Sequence, residues 1–136
     1  MSYQKSIIAG RLGADPEMRY SPTGQPVTNF SVATNRKFTN QAGETIKMTV
    51  WFKVAAWGKQ GEACNTYLKK GSLVLVDGRL EADPNTGGPR IWTRQDGSPA
   101  ASFDITAETV RFLDSKSSNG ANGSNAEPAE ETEIPF

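Results

Sequence analysis

Alternation of apolar and polar positions runs through most of the first 113 residues. Val27 to Asn35 (VTNFSVATN) puts Phe30, Val32 and Thr34 on one side, the period-two signature of a half-buried strand. Lys47–Trp57 repeats the pattern after a polar tip, FTNQAGET, that carries Gly43. Within it, TVWFKVAAWGK splits into two sets: Val50, Phe52, Val54 and Ala56 on one face, Trp51, Lys53, Ala55 and Trp57 on the other. The first set is a core face. The second lines up two tryptophans and a lysine where no core claims them.

Other segments fall into place around this hairpin. Ser6–Gly10 with Leu12 predicts a first strand, broken by RLGADPE with its Gly13 and Pro16; Ser21–Gln25 is a turn. Over Gly58–Gly71 the period changes. Ala63, Cys64, Tyr67 and Leu68 make one helical face and place Tyr67 and Leu68 in the core, with Lys69 and Lys70 in the last turn and Gly71 as the stop. SLVLVDGRLEA then predicts a buried strand that becomes partly exposed. Residues 82–100 are rich in Gly and Pro and predict a long hairpin with a short strand at Ile91–Thr93 and a DGS turn. Ser102–Leu113 alternates again as a last strand. Three strands, a helix and two strands are the order of a five-stranded OB-fold barrel, so the predicted class is all-β with one helix.

After Leu113 the pattern stops. DSKSSNGANGSNAEPAEETEIPF has no apolar side chain larger than alanine before Ile134, too few to offset the entropy of ordering. The predicted organisation is a barrel domain at 1–113 and a flexible acidic tail at 114–136. Charge follows this boundary. The formal net charge is zero over the whole chain, but 1–113 holds fourteen Lys/Arg against ten Asp/Glu, and 114–136 holds one lysine against five acids. A basic domain with an acidic tail predicts an anionic ligand for the domain.

Composition removes several function classes. No apolar run is long enough to span a membrane, and the N-terminus lacks a secretory pattern, so the expected location is cytoplasmic. One cysteine, Cys64, and no histidine exclude an internal disulfide and Cys/His zinc sites, and leave no histidine to activate a nucleophile. There is no Walker-type phosphate loop. The carboxylate pairs Asp15/Glu17 and Glu81/Asp83 are read as solvated or turn-forming. The expectation is a non-catalytic protein with no cofactor and no metal.

Aromatic residues next to cations carry the positive signal. Trp51 and Trp57 share a face with Lys53, and Lys59 follows. Phe38 comes just after Arg36 and Lys37, and Trp92 lies between Arg90 and Arg94. Single-stranded nucleic acid needs this combination: bases stack on rings at about 1–3 kcal/mol each, and cations track the phosphates. Core burial is the competing reading for a tryptophan in a small β domain. Alternation opposes it for Trp51 and Trp57, for which a subunit interface is the stronger competitor. The chain ends in Glu130, Glu131 and Glu133 followed by Ile134, Pro135 and Phe136, an acidic approach to an apolar tip suited to a basic-rimmed pocket on a partner protein.

The segments RLGADPEMRYSPTGQPVTNFSVATN, TVWFKVAAWGK, YLKKGSLVLVDGRL and the terminal IPF together resemble the bacterial single-stranded DNA-binding proteins. That resemblance implies an OB-fold core, a homotetramer wrapped by single-stranded DNA, and a tail tip that recruits replication, recombination and repair enzymes. It puts the family's stacking aromatics on Phe38, Trp51, Trp57 and Trp92. Two features depart from the family pattern: Phe52 stands where some members have histidine near subunit contacts, and Thr132 interrupts the acidic run of the tip. The alternatives to a DNA binder are an OB-fold adaptor working mainly through its tail, or a module for RNA or oligosaccharide.

Overall fold

The computed structural model describes residues 1–114. In chain order the elements are β1 (Ser6–Leu12), β2 (Glu17–Tyr20), β3 (Pro26–Thr39), β4 (Thr45–Trp57), α1 (Gly58–Tyr67), β5 (Leu73–Glu81), β6 (Arg90–Thr93) and β7 (Pro99–Phe112). Hydrogen bonding runs β1-β5-β7-β4-β3, and β3 returns to β1 through Arg11↔Ala33 and Leu12↔Val32. These five strands close a barrel with one helix, which is the predicted OB-type architecture. Around the barrel every pairing is antiparallel except β4 with β7.

Closure puts one face of every barrel strand inside. Val32, Val54, Val74, Val76 and Ile105 are fully buried there, together with Phe30. Val54 and Ile105 are register partners across the parallel β4–β7 pair. Helix α1 closes one end of the barrel with Gly61 and Cys64 buried. The approach is close enough that a Cβ on Gly61 would collide with the Ala56 carbonyl, and the buried Thr28 hydroxyl donates to the Gly61 carbonyl at 2.5 Å. Lys5 ties the N-terminal segment to the barrel wall, 2.9 Å from Asp77 and 3.2 Å from Glu108. Hydrogen bonds to those two carboxylates hold its ammonium above the ordinary lysine range.

The β3–β4 hairpin outgrows the barrel. Its pairing runs unbroken from Val27↔Trp57 to Thr39↔Thr45, while β1 meets β3 only up to Ala33 and β7 meets β4 only at residues 52–55. Residues 34–50 therefore form a two-stranded arm. Its tip is closed by Asn40, whose side-chain oxygen accepts from the Ala42 and Glu44 amides.

Several expectations need correction. The helix stops at Tyr67 rather than near Gly71, because Leu68 is extended (ψ 153°) with its amide bonded to the Cys64 carbonyl. That turn swings Leu68 into the core and leaves Tyr67 outside at 70% exposure, its ring 6.2 Å from Phe112. Lys69 and Lys70 thus lie past the helix, which has no basic residue in its last turn. Strand β2 has no counterpart in the sequence reading. It is a four-residue strand pairing β3 at Pro26–Asn29, and only Met18 is partly buried, so it shows no alternation. Beyond Asp114 the predicted tail lies outside the described residues, Glu130, Glu131, Glu133, Ile134, Pro135 and Phe136 among them.

Candidate nucleic-acid interface

Register decides which side chains share a surface. On β4 the outer face carries Lys47, Thr49, Trp51, Lys53, Ala55 and Trp57. Opposite them on β3 stand Lys37, Asn35, Ala33, Ser31, Asn29 and Val27. The small β3 partners give the rings no cover. Trp51 is 51% and Trp57 42% exposed, against complete burial of Val54 and Ala56 on the inner face.

Trp51 has a second constraint. A Cβ built on Gly13 would come within 2.5 Å of its six-membered ring. The glycine leaves the space in which that ring lies against the turn after β1. In the sequence Gly13 reads only as a turn residue, because the contact joins distant segments of the chain.

The β6–β7 hairpin brings in Trp92. Trp92 pairs with Ala100, and its ring lies over β4 with the Lys53 ammonium 4.6 Å from the ring centroid, within cation–π range. Beside this contact, Lys53, Ala55 and Trp57 of β4 line a groove with Glu81 of β5, Arg90 of β6, and Asp104 and Thr106 of β7. Its volume is about 570 Å³. The Arg90 Nε stands 3.9 Å from an Asp104 carboxylate oxygen.

The predicted residues do not all converge. Trp51, Lys53 and Trp57 share one face, with Trp92 and Arg90 joining from β6. Lys37 is on that same face further out along the arm, opposite Lys47. Phe38 and Arg36 have the opposite parity. They sit on the arm's other face, with Phe38 half-buried beside Ile46 and the Arg36 guanidinium 5.2 Å from its ring. Arg94 is engaged in the β6–β7 turn, donating to the Pro99 carbonyl at 2.9 Å. Lys59 is exposed in the first turn of α1. Phe52, the departure from the family pattern, packs against the core with its ring centroid 5.9 Å from Phe103.

Two groove residues escape the sequence reading. Asp104 carries no motif, and Glu81 reads as solvated or turn-forming. Strand alternation places Asp104 opposite in sense to Phe103 and Ile105, which is the one available signal. No local signal links Glu81 to it. Asp83, by contrast, does form a turn, accepting from the Asn85 amide at 2.8 Å.

The model of the single-strand binding protein family matches residues 3–113. The chain belongs to that family. Among its relatives, the single-stranded DNA-binding protein of Neisseria meningitidis is 37% identical over 119 residues, covering 88% of this chain and 64% of the relative. Single-stranded DNA-binding protein A of Bacillus subtilis is 39% identical over 115 residues, covering 85% and 62%. The chain thus spans less than two thirds of the length of these relatives. A crystal structure of a deletion mutant of the Thermus aquaticus single-stranded DNA binding protein superposes with a TM-score of 0.64 at 29% identity, over 82% of this chain and 51% of that one. The Plasmodium falciparum SSB in complex with ssDNA superposes at 0.67 with 24% identity, over 84% and 97%, and shares the fold. A non-catalytic protein, as expected from the sequence, agrees with membership of a family of DNA-binding proteins.

Proposed function

We propose that this protein binds single-stranded DNA through stacking and phosphate neutralisation, keeping exposed strands unpaired. The observation that carries the reading is the outer face of β4. Trp51 and Trp57 stay exposed there, next to Lys53, with Trp92 held over the same lysine. Every base has a π-face, so such a surface tolerates any sequence. Lys37 and Lys47 on the arm supply the positive charge, and affinity falls as salt rises through counterion release. Family membership supports the reading. Titrating tryptophan fluorescence with oligo-dT tests it: binding quenches the emission and log K falls linearly with log salt. Unquenched emission at low salt would sink the proposal.

The wider role follows from the same resemblance. The protein serves replication, recombination and repair in the cytoplasm, on nucleoid DNA, as a homotetramer. Residues 1–113 act as the DNA-binding domain and 114–136 as a tail. The tip, Glu130, Glu131, Glu133, Ile134, Pro135 and Phe136, recruits partner enzymes. Deleting Glu133–Phe136 removes partner capture and leaves DNA affinity intact or higher; a deletion that abolishes DNA binding would instead place the tip in the DNA site.

A further inference from the structure

The groove beside Trp57 contains something a phosphate channel should not. Glu81 and Asp104 stand directly opposite one another on β5 and β7, both facing the groove. Like charges in that relation oppose strand pairing, and carboxylates repel a polyanion. Lys53 and Arg90 balance them, so the groove has no net positive charge for a phosphate. Among the described residues, positive charge without an acid counterpart lies instead on the arm, at Lys37 and Lys47.

Each carboxylate is aimed by one oxygen only. The Thr106 hydroxyl donates to Glu81 at 2.7 Å, and the Ser102 hydroxyl donates to Asp104 at 2.6 Å. Among the described residues, the second Glu81 oxygen has no protein donor. The second Asp104 oxygen faces Arg90 at 3.9 Å, too far for a hydrogen bond. Two oriented acceptors with open lone pairs therefore edge a groove walled by an exposed indole.

From this we infer that the groove takes a base rather than a phosphate, and that Glu81 and Asp104 favour bases presenting an exocyclic amine, cytosine above uracil. The inference rests on the single-stranded DNA reading and superimposes a preference on otherwise sequence-tolerant stacking. Carboxylates only accept hydrogen bonds. Cytosine offers them its N4 amine, whereas uracil places the O4 acceptor at the same position, where it meets an acceptor. Stacking on Trp57 does not require that distinction.

The test compares oligo-dC with oligo-dU of equal length on the full chain. Dissociation constants come from fluorescence titration at matched salt and mildly alkaline pH, where cytosine is unprotonated. The wild-type protein prefers oligo-dC by about fivefold or more. Glu81→Gln and Asp104→Asn keep the shape and the hydroxyl contacts but add a donor. Each moves the dC:dU ratio toward one while strengthening binding of both, as a negative charge is gone. A wild-type ratio near one, or a ratio unchanged in variants with wild-type melting curves, overturns the preference alone. Failure of both oligonucleotides to bind overturns it together with the DNA-binding reading.

Discussion

The two faces of β4 are one residue apart in sequence and opposite in environment. Inward, Val54 and Ala56 are closed off from solvent in the barrel core. Outward, Trp51 and Trp57 keep 51% and 42% of their exposure. Burial energy scales with apolar area removed from water, so the largest side chains of the strand should be inside if stability alone chose them. The inner face holds Val54 and Ala56, with Phe52 against the core, while two larger rings stay outside, as the proposed DNA-binding role of the outer face requires. Mutations on the two faces should therefore separate cleanly into stability and binding.

The inner side gives the largest expected effect. Ile105 is 1% exposed and is the register partner of Val54 across β4–β7. Ile105→Ala should cost about 2–5 kcal/mol of folding stability through reduced burial and the cavity left behind. Denaturant unfolding measures it. A cost below about 1 kcal/mol would mean that the barrel interior is not the stabilising core.

The same interior predicts a pH response. Burial alone pushes the Cys64 thiol up to about 11 from an ordinary 9. Its folded value lies above its unfolded value, so the associated stability is intact below about pH 9 and is lost as pH rises toward 11. The full effect is about 2–3 kcal/mol. Other groups titrate in that range too, so the readout is the difference from Cys64→Ala, whose stability should fall less steeply from pH 9 to 11. Parallel curves would contradict burial of the thiol.

On the outer side, Trp57→Ala and Trp51→Ala should each weaken oligo-dT binding by about 1–3 kcal/mol. Their melting temperatures should stay close to wild type, because exposed positions contribute little to folding. A variant that melts early and binds normally would reassign that tryptophan to packing or a subunit contact.

How far the sequence can be read follows the same division. Alternation alone sorts Phe52, Val54 and Ala56 from Trp51, Lys53 and Trp57, because a strand's period is two and the barrel has one wet face. The five barrel strands and the helix follow from periodicity. Contacts between distant segments are not legible. Gly13 beneath Trp51, Glu81 opposite Asp104 and the Lys53–Trp92 contact depend on how strands far apart in sequence come to pair. Phe38 shows the converse limit. Proximity in sequence to Arg36 and Lys37 makes it look like a companion of Trp51, whereas its parity puts it on the arm's other face. Tyr67 fails for a different reason: its place in the core assumes a helix running on to Gly71, whereas the chain turns extended at Leu68.

The arm completes the contrast with a smaller effect. Lys37 and Lys47 are direct cross-strand neighbours on the face shared with Trp51. Like charges so placed oppose pairing, just as Glu81 and Asp104 do in the groove. On the proposed reading, the two like-charged pairs divide the work, cations on the arm for phosphates and carboxylates in the groove for bases. Lys37→Gln with Lys47→Gln should leave the folded arm as stable as before or slightly more so, since repulsion is relieved. It should weaken binding at low salt and flatten the dependence of log K on log salt by about 0.7 for each phosphate no longer neutralised, close to 1.4 if both lysines engage the strand. Because every stacking ring stays in place, binding at high salt should converge on the wild-type value. An unchanged slope would move the phosphate path off the arm and onto another basic surface.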